Sequence, residues 1–269
     1  MKLAGQIALV TGASRGVGKG IALGLGEAGA TVYVTGRTVT PGLLPGTIAE
    51  TAAEVSALGG RGIAIACDHA DDGAVERLFA RILAEAGKLD ILVNNAFTVP
   101  EGRIVGPFWE LPIDQWDTMH RVGLRSHYVA SWHAAHAMIP RKSGLIVNVS
   151  SFGAKIQAVN VAYGVGKAGV DRMTRDMSRE LRPHAVTVVS LWPGVVRTER
   201  LETAGERDRL GFDLANAESP RFSGRAVAAV AADARRLERT GQSLVVAELA
   251  REYGFTDVDG SVPASLLRR

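Results

Sequence analysis

The chain has 269 residues, a formal net charge of +3, 46% hydrophobic and 22% charged residues, and one cysteine. That is enough chain to bury a core as one large or two small domains, and its basic residues are dispersed among acidic ones, with no basic stripe and interleaved aromatics to suggest nucleic acid. No uncharged apolar run approaches the roughly 18–20 residues needed to cross a bilayer. Met1-Lys2-Leu3-Ala4-Gly5-Gln6 lacks the pattern of a signal peptide, and Cys67 cannot form an intramolecular disulfide, so a cytoplasmic protein is expected.

Short β-rich runs alternate with longer helical patterns. Strands are expected at Gln6–Thr11, Thr31–Thr35, Gly62–Ala66, Asp90–Val93, Leu145–Ser150, Ala185–Leu191 and Ser243–Val246. Helices are expected at Gly18–Ala28, Thr47–Leu58, Asp72–Ala86, Asp114–Met138, Val161–Leu181 and Arg225–Leu237. The strands are continuous apolar runs, as when helices cover both faces of a parallel sheet, and the alternation predicts a doubly wound α/β fold. With no repeat or low-complexity linker, a single domain over 1–269 is expected. Residues 97–111 read as a loop. The charge-dense stretch 195–219 follows a strand's carboxyl end and is expected to form a lid over the substrate.

Gly12-Ala13-Ser14-Arg15-Gly16-Val17-Gly18 follows the first strand and opens a helix. Glycine allows the tight turn and lets backbone approach a pyrophosphate, and the helix start offers free N–H groups. An NAD-specific site wants a carboxylate at the end of the second strand. Here the residues are Thr35-Gly36-Arg37-Thr38, so Arg37 is expected to face a 2′-phosphate with Arg15 closing from the other side, which favours NADP(H). Asp68, after the third strand, suits either a hydrogen bond to adenine or a helix cap. Asn94-Asn95-Ala96, after the fourth, suits either the cofactor or a strand end.

Tyr163 and Lys167 lie one helical turn apart on one face, with Ser150-Ser151 upstream at a strand's carboxyl end. A phenol with an ordinary pKa near 10 is a poor acid or base at neutral pH, and a nearby ammonium favours its ionised form. With serine holding the substrate oxygen, these residues describe hydride transfer with the proton handled by Tyr163.

Thr11-Gly12-x-x-x-Gly16-x-Gly18, Asn94-Asn95-Ala96, Ser150-Ser151, Tyr163-x-x-x-Lys167 and Pro193-Gly194-Val195-Val196-Arg197-Thr198 together resemble the ordered motifs of the short-chain dehydrogenase/reductase family. The resemblance spans about residues 5–247. Several stretches, among them 253–260, are more similar to the member-1 branch of that family. That branch's longer apolar C-terminal region is absent here, and a soluble relative is expected, with an atypical extension over 248–269.

The resemblance implies a Rossmann-type seven-stranded sheet in the order 3-2-1-4-5-6-7, and an NADP(H)-dependent oxidoreductase interconverting a ketone or aldehyde and an alcohol. It implies catalytic roles for Ser151 (Ser150 staying open), Tyr163 and Lys167. It also implies cofactor contacts from Gly12, Ser14, Arg15, Gly16, Val17, Gly18, Arg37, Thr38, Asp68, Asn94, Ala96, Tyr163, Lys167, Pro193, Gly194, Val196 and Thr198. No metal is implied.

Two departures stand out. The family's fourth catalytic residue, an asparagine, aligns with Gly123, and the glycine usual after Asn-Asn-Ala is Phe97. Phe97 is expected to reshape the pocket floor. Phe152, Trp192 and Trp109 are expected either to add apolar wall for a small apolar substrate or to pack in the core. Gly123 supports a second reading, a dinucleotide-binding sensor or scaffold with little catalysis. His120, His127, His133 and His136 are expected to be surface or interface residues. Small residues Gly164, Gly166, Ala168 and Gly169 fit close helix approach in a homodimer or homotetramer.

Overall fold

The computed structural model describes residues 2–203, 214 and 217–266. Seven parallel strands form one sheet: β1 (Ile7–Val10), β2 (Thr31–Gly36), β3 (Arg61–Ala66), β4 (Ile91–Asn94), β5 (Gly144–Val149), β6 (Val186–Trp192) and β7 (Ser243–Val245). Their order is β3-β2-β1-β4-β5-β6-β7. β1 therefore pairs with both β2 and β4, Val10 lying opposite Val34 and Val93. The chain reverses direction across the sheet at this seam, which opens a crevice at the carboxyl ends of β1 and β4.

Helices cover both faces, and the strands are buried on both, which explains their uninterrupted apolar runs. On one face lie α1 (Gly16–Glu27), α2 (Ile48–Ala57), α8 (Pro220–Ala232) and α9 (Val246–Tyr253). On the other lie α3 (Asp72–Ala86), α4 (Asp114–His120), α5 (Ser126–Met138) and α6 (Val161–Leu181). A short α7 (Glu199–Thr203) follows β6. The α1–α8 crossing is close because glycines face each other: a Cβ on Gly24 would sit 2.3 Å from the Gly224 carbonyl carbon.

Three elements differ from expectation. The long helix expected over 114–138 contains a π-helical turn at Arg121–Arg125, between α4 and α5, with Gly123 buried inside it. The helix expected at Arg225–Leu237 starts instead at Pro220 and stops at Ala232. Its start is set from a distance: Asp257 accepts a hydrogen bond from the Ser219 N–H (2.7 Å), and Arg225 Nη1 donates to the carbonyls of Thr256 (2.7 Å) and Asp257 (3.0 Å). The third is α9, which occupies the start of the expected extension. Phe255, just past its end, packs on Phe222 with ring centroids 5.3 Å apart.

The middle of the expected lid, residues 204–213, 215 and 216, lies outside the described residues. Its two ends are tied together, Arg197 N–H donating to the Glu218 carbonyl and Glu218 N–H to the Val195 carbonyl, each at 2.8 Å. Among the described residues no helix is long and apolar enough to cross a membrane.

Asp257 is buried and supplies the α8 cap that Ser219 does not make for itself. Asp257→Ala is expected to lower stability by about 1–2 kcal/mol, measured by urea unfolding. An unchanged midpoint and slope would show that the tail contributes no cap.

Candidate active site

The reactive groups collect where β5 ends and α6 begins. Asn160 caps α6: its Oδ1 accepts from the Tyr163 N–H (2.8 Å), and its Nδ2 donates to the Ile104 carbonyl (2.9 Å). This fixes the first turn of α6 against the loop after β4. The Tyr163 hydroxyl donates to Ser151 Oγ at 2.9 Å, and that oxygen also accepts from the Gly153 N–H at 3.0 Å. With two donors converging on it, Ser151 keeps its own O–H for an outside acceptor. Ser150 points the other way and donates to the Lys167 carbonyl at 3.2 Å. Of the two serines, only Ser151 meets the tyrosine.

Lys167 is buried, and its Nζ donates to the Val149 carbonyl at 3.0 Å. Burial lowers its ammonium to about 8, against the raising effect of Asp171. Burial raises the Tyr163 phenol above its ordinary value, with the Ser151 hydrogen bond opposing. The expected lowering of the phenol by Lys167 is therefore not what the chain's own groups produce. The ammonium is directed at a strand carbonyl, and low dielectric acts on both groups, favouring the neutral form of each.

Tyr163 and Phe97 line a cleft of about 1170 Å³ with Val99, Ile104, Val159 and Leu201, and Leu43 and Leu44 of the loop between β2 and α2 also reach it. An adjoining groove of about 400 Å³ runs along the sheet's carboxyl edge. It is lined by Gly12, Ser14, Arg15, Gly16, Val17 and Gly18, and also by Arg37, Thr38, Asp68, Asn95, Ala96 and Thr198.

The groove fits a dinucleotide. Gly12 has φ +64°, and a Cβ there would lie 2.7 Å from the Ala96 Cα, so only glycine suits the turn. The start of α1 has no side-chain cap, and its Gly16 N–H donates to the Glu199 carboxylate at 2.8 Å. An oxyanion thus already sits where a helix N-terminus favours a phosphate. Arg15 does not reach across to Arg37 as expected. Its guanidinium donates to the carbonyls of Leu44, Pro45 and Gly46 (3.4, 3.0 and 2.9 Å) and pins that loop. Arg37 is exposed on the groove and has no hydrogen bond or ion pair among the described residues.

Other expected site residues lie elsewhere. Asn94 is fully buried, its amide donating to Asn148 Oδ1 (2.8 Å), Ser131 Oγ (2.9 Å) and the His127 carbonyl (3.3 Å). It joins β4 to β5 and α5. Its neighbour Asn95 is the one at the groove, donating to the carbonyls of Thr11 (3.0 Å) and Gly12 (2.9 Å).

Trp192 is interior rather than cleft wall, donating to Asp171 (3.1 Å) and packing on Phe152 with ring centroids 5.0 Å apart. Trp109 is exposed, perpendicular to Phe108. Asp68 lines the groove and accepts from the Ala70 N–H, while Asp71 caps α3. Pro193, Gly194 and Val196 are not among the residues that line the groove. Gly194 and Val196 rest on buried Glu218, whose carboxyl is pushed up to about 8 by burial, with the Gly194 N–H and Ser223 opposing.

His127 is not on the surface. It is buried, its Nε2–H donates to the Ala96 carbonyl (3.1 Å), and it is held neutral by burial, with a pKa lowered to about 3. Gly166 and Gly169 serve contacts within the chain, against His120 and Leu124. Sequence reasoning missed Asn160 and Glu199, and within Asn94-Asn95-Ala96 it did not separate Asn95 from Asn94. An asparagine directly before a helix was the available signal for Asn160. Glu199 acts across a long sequence separation.

A glycine-rich turn at the switch point, with a serine–tyrosine pair and a buried lysine beside it, defines a dinucleotide-dependent oxidoreductase. The family described as short chain dehydrogenase matches residues 6–209. The mouse (Mus musculus) protein "Dehydrogenase/reductase SDR family member 1" is 44% identical over 269 residues, covering 95% of this chain and 84% of the mouse protein. Among solved structures, a short chain dehydrogenase from Mycobacterium thermoresistibile superposes with TM-score 0.81 at 28% identity, covering 98% of this chain and 93% of that one. A metagenomic short-chain oxidoreductase in complex with NADP superposes with TM-score 0.73 at 31% identity, covering 91% and 97%. The chain belongs to the short-chain dehydrogenase/reductase family, close to its member 1 proteins.

A pyrophosphate at the start of α1 would compete with Glu199 for the Gly16 N–H. Glu199→Gln, which removes the competing charge, is expected to tighten nicotinamide dinucleotide binding about two- to fivefold, read by fluorescence titration. Weaker binding would show that the carboxylate helps to build the groove.

Proposed function

We propose that this chain is an NADP(H)-dependent oxidoreductase that interconverts an apolar ketone or aldehyde with its alcohol. The observation that carries the reading is the Tyr163–Ser151 hydrogen bond, with Tyr163 on the wall of a cleft lined by apolar side chains together with Arg15, Glu101, Arg103 and Arg200, beside an oxyanion-accepting groove. When bound, the nicotinamide supplies or accepts the hydride at the substrate carbon. Ser151 orients the substrate oxygen through its remaining O–H. Tyr163 gives that oxygen a proton in reduction and takes it back in oxidation. Lys167, held to the Val149 carbonyl, keeps a positive charge near the phenol and would hydrogen-bond the ribose of a bound cofactor.

NADP(H) is favoured by the lack of an acid at the end of β2 and by the unengaged Arg37 guanidinium, which suits a 2′-phosphate, and the NADP-bound relative supports the same choice. Exposed Tyr128, Trp132 and Val165 on α5 and α6 support a homodimer or homotetramer. The lone, buried Cys67 suits the cytoplasm.

Wild type is expected to oxidise NADPH with some member of a ketone and aldehyde panel. Tyr163→Phe should lose roughly 10²–10⁴-fold in kcat while still binding NADPH. If wild type binds NADPH but never exceeds Tyr163→Phe, the chain is a dinucleotide-binding module instead.

Arg37→Ala is expected to weaken NADPH roughly tenfold and to leave NADH nearly unchanged. Equal or tighter binding of NADH by wild type overturns the cofactor choice.

A further inference from the structure

Two sequence departures, Phe97 and Gly123, meet in space. Gly123 is buried in the π-helical turn between α4 and α5. A Cβ added there would lie 2.5 Å from Phe97 Cδ2 and 2.8 Å from Cε2, closer than real carbon atoms approach. Gly123 is not among the residues with positive φ, so its backbone would accept a side chain, and it is the Phe97 ring that fills the space a Cβ would take. The same Phe97 ring stands perpendicular to the Tyr163 ring with centroids 5.8 Å apart, and Lys167 Nζ lies 5.2 Å from its centroid. One side chain, admitted by one missing Cβ, touches both reactive residues of α6.

We propose that Phe97 is a positioning residue for Tyr163 and Lys167, and that Gly123 exists to admit its ring. This rests on the oxidoreductase reading above. Where the family resemblance implies a polar asparagine side chain at 123, this chain has an aromatic face. The Val149 carbonyl is the one hydrogen-bond acceptor of Lys167 Nζ among the described residues, and the ring quadrupole supplies a second attraction without a lone pair.

A ring has no group to pass a proton, so no proton passes to Lys167 through this wall. The other titratable groups facing Lys167 are Tyr163 and Asp171 on its own helix and neutral His127 on α5. Phe97 lines the cleft beside Tyr163, while Lys167, Asp171 and His127 do not line it.

The test is a double-mutant cycle on the full chain with Phe97→Gly, Gly123→Asn and the pair. Gly123→Asn alone is expected to cut kcat roughly tenfold or more, because its side chain and the ring claim one space. Phe97→Gly alone is expected to cut kcat similarly, and the pair to recover most of it, with a shifted pH profile, since a polar side chain then faces Lys167. Additive losses overturn the proposal.

Phe97→Leu keeps apolar bulk and removes the ring. It is expected to keep NADPH affinity within about threefold while kcat falls and the tyrosinate titration of Tyr163 moves. That titration is read as the ultraviolet difference against a Tyr163→Phe background, so it needs no turnover. If wild type reduces no carbonyl, the functional reading fails, and the titration alone decides the positioning role. An unmoved titration in Phe97→Leu overturns it.

Discussion

A buried ammonium governs this site. Lys167 comes off α6 into the interior and ends at the Val149 carbonyl, so it ties the helix that carries Tyr163 to the end of the strand that leads to Ser151. Burying a charge is costly unless its surroundings compensate, and here each neighbour does so. A strand carbonyl accepts a hydrogen bond from it, an aromatic face lies over it, Asp171 lies one turn further along the helix, and His127 stays neutral. The Tyr163–Ser151 contact depends on this anchor, because it sets how α6 rests on the sheet edge.

The groove follows a parallel logic. Thr11 and Asn95 stitch the ends of β1 and β4 together: Thr11 Oγ1 accepts from the N–H groups of Asn95 and Ala96, and the Asn95 amide returns to the carbonyls of Thr11 and Gly12. Gly12 must then pass close to Ala96, which holds the start of α1 facing the crevice, where its Gly16 N–H already meets an oxyanion, the Glu199 carboxylate. The carboxylate that meets Gly16 comes from α7, on the segment that follows β6, so the substrate side and the cofactor side of the cleft share one contact.

Most of the architecture was legible along the chain, because strand–helix alternation and apolar runs are local patterns. The seven strands lie within a residue or two of their expected bounds, and α3 and α6 match theirs. What was not legible depended on distant partners. Asp257 caps α8 from 38 positions away and moves that helix's start. Asn94 and Trp192 carry residue types that suit a site, yet β4 and β6 turn them inward, toward Asn148 and Asp171. Arg15 looks like a phosphate ligand until the carbonyls of the loop after β2 are seen around it.

The sequence by itself determined the fold class, the family, the glycine turn and the tyrosine–lysine pair, because each rests on residue type and spacing within a few turns of chain. Only the tertiary structure decided which serine meets Tyr163, since that depends on where β5 stops and which side chain its pleat turns toward α6. Only the structure showed that Phe97 and Gly123, 26 positions apart in the chain, are one feature: the ring of one occupies the space that a Cβ on the other would need.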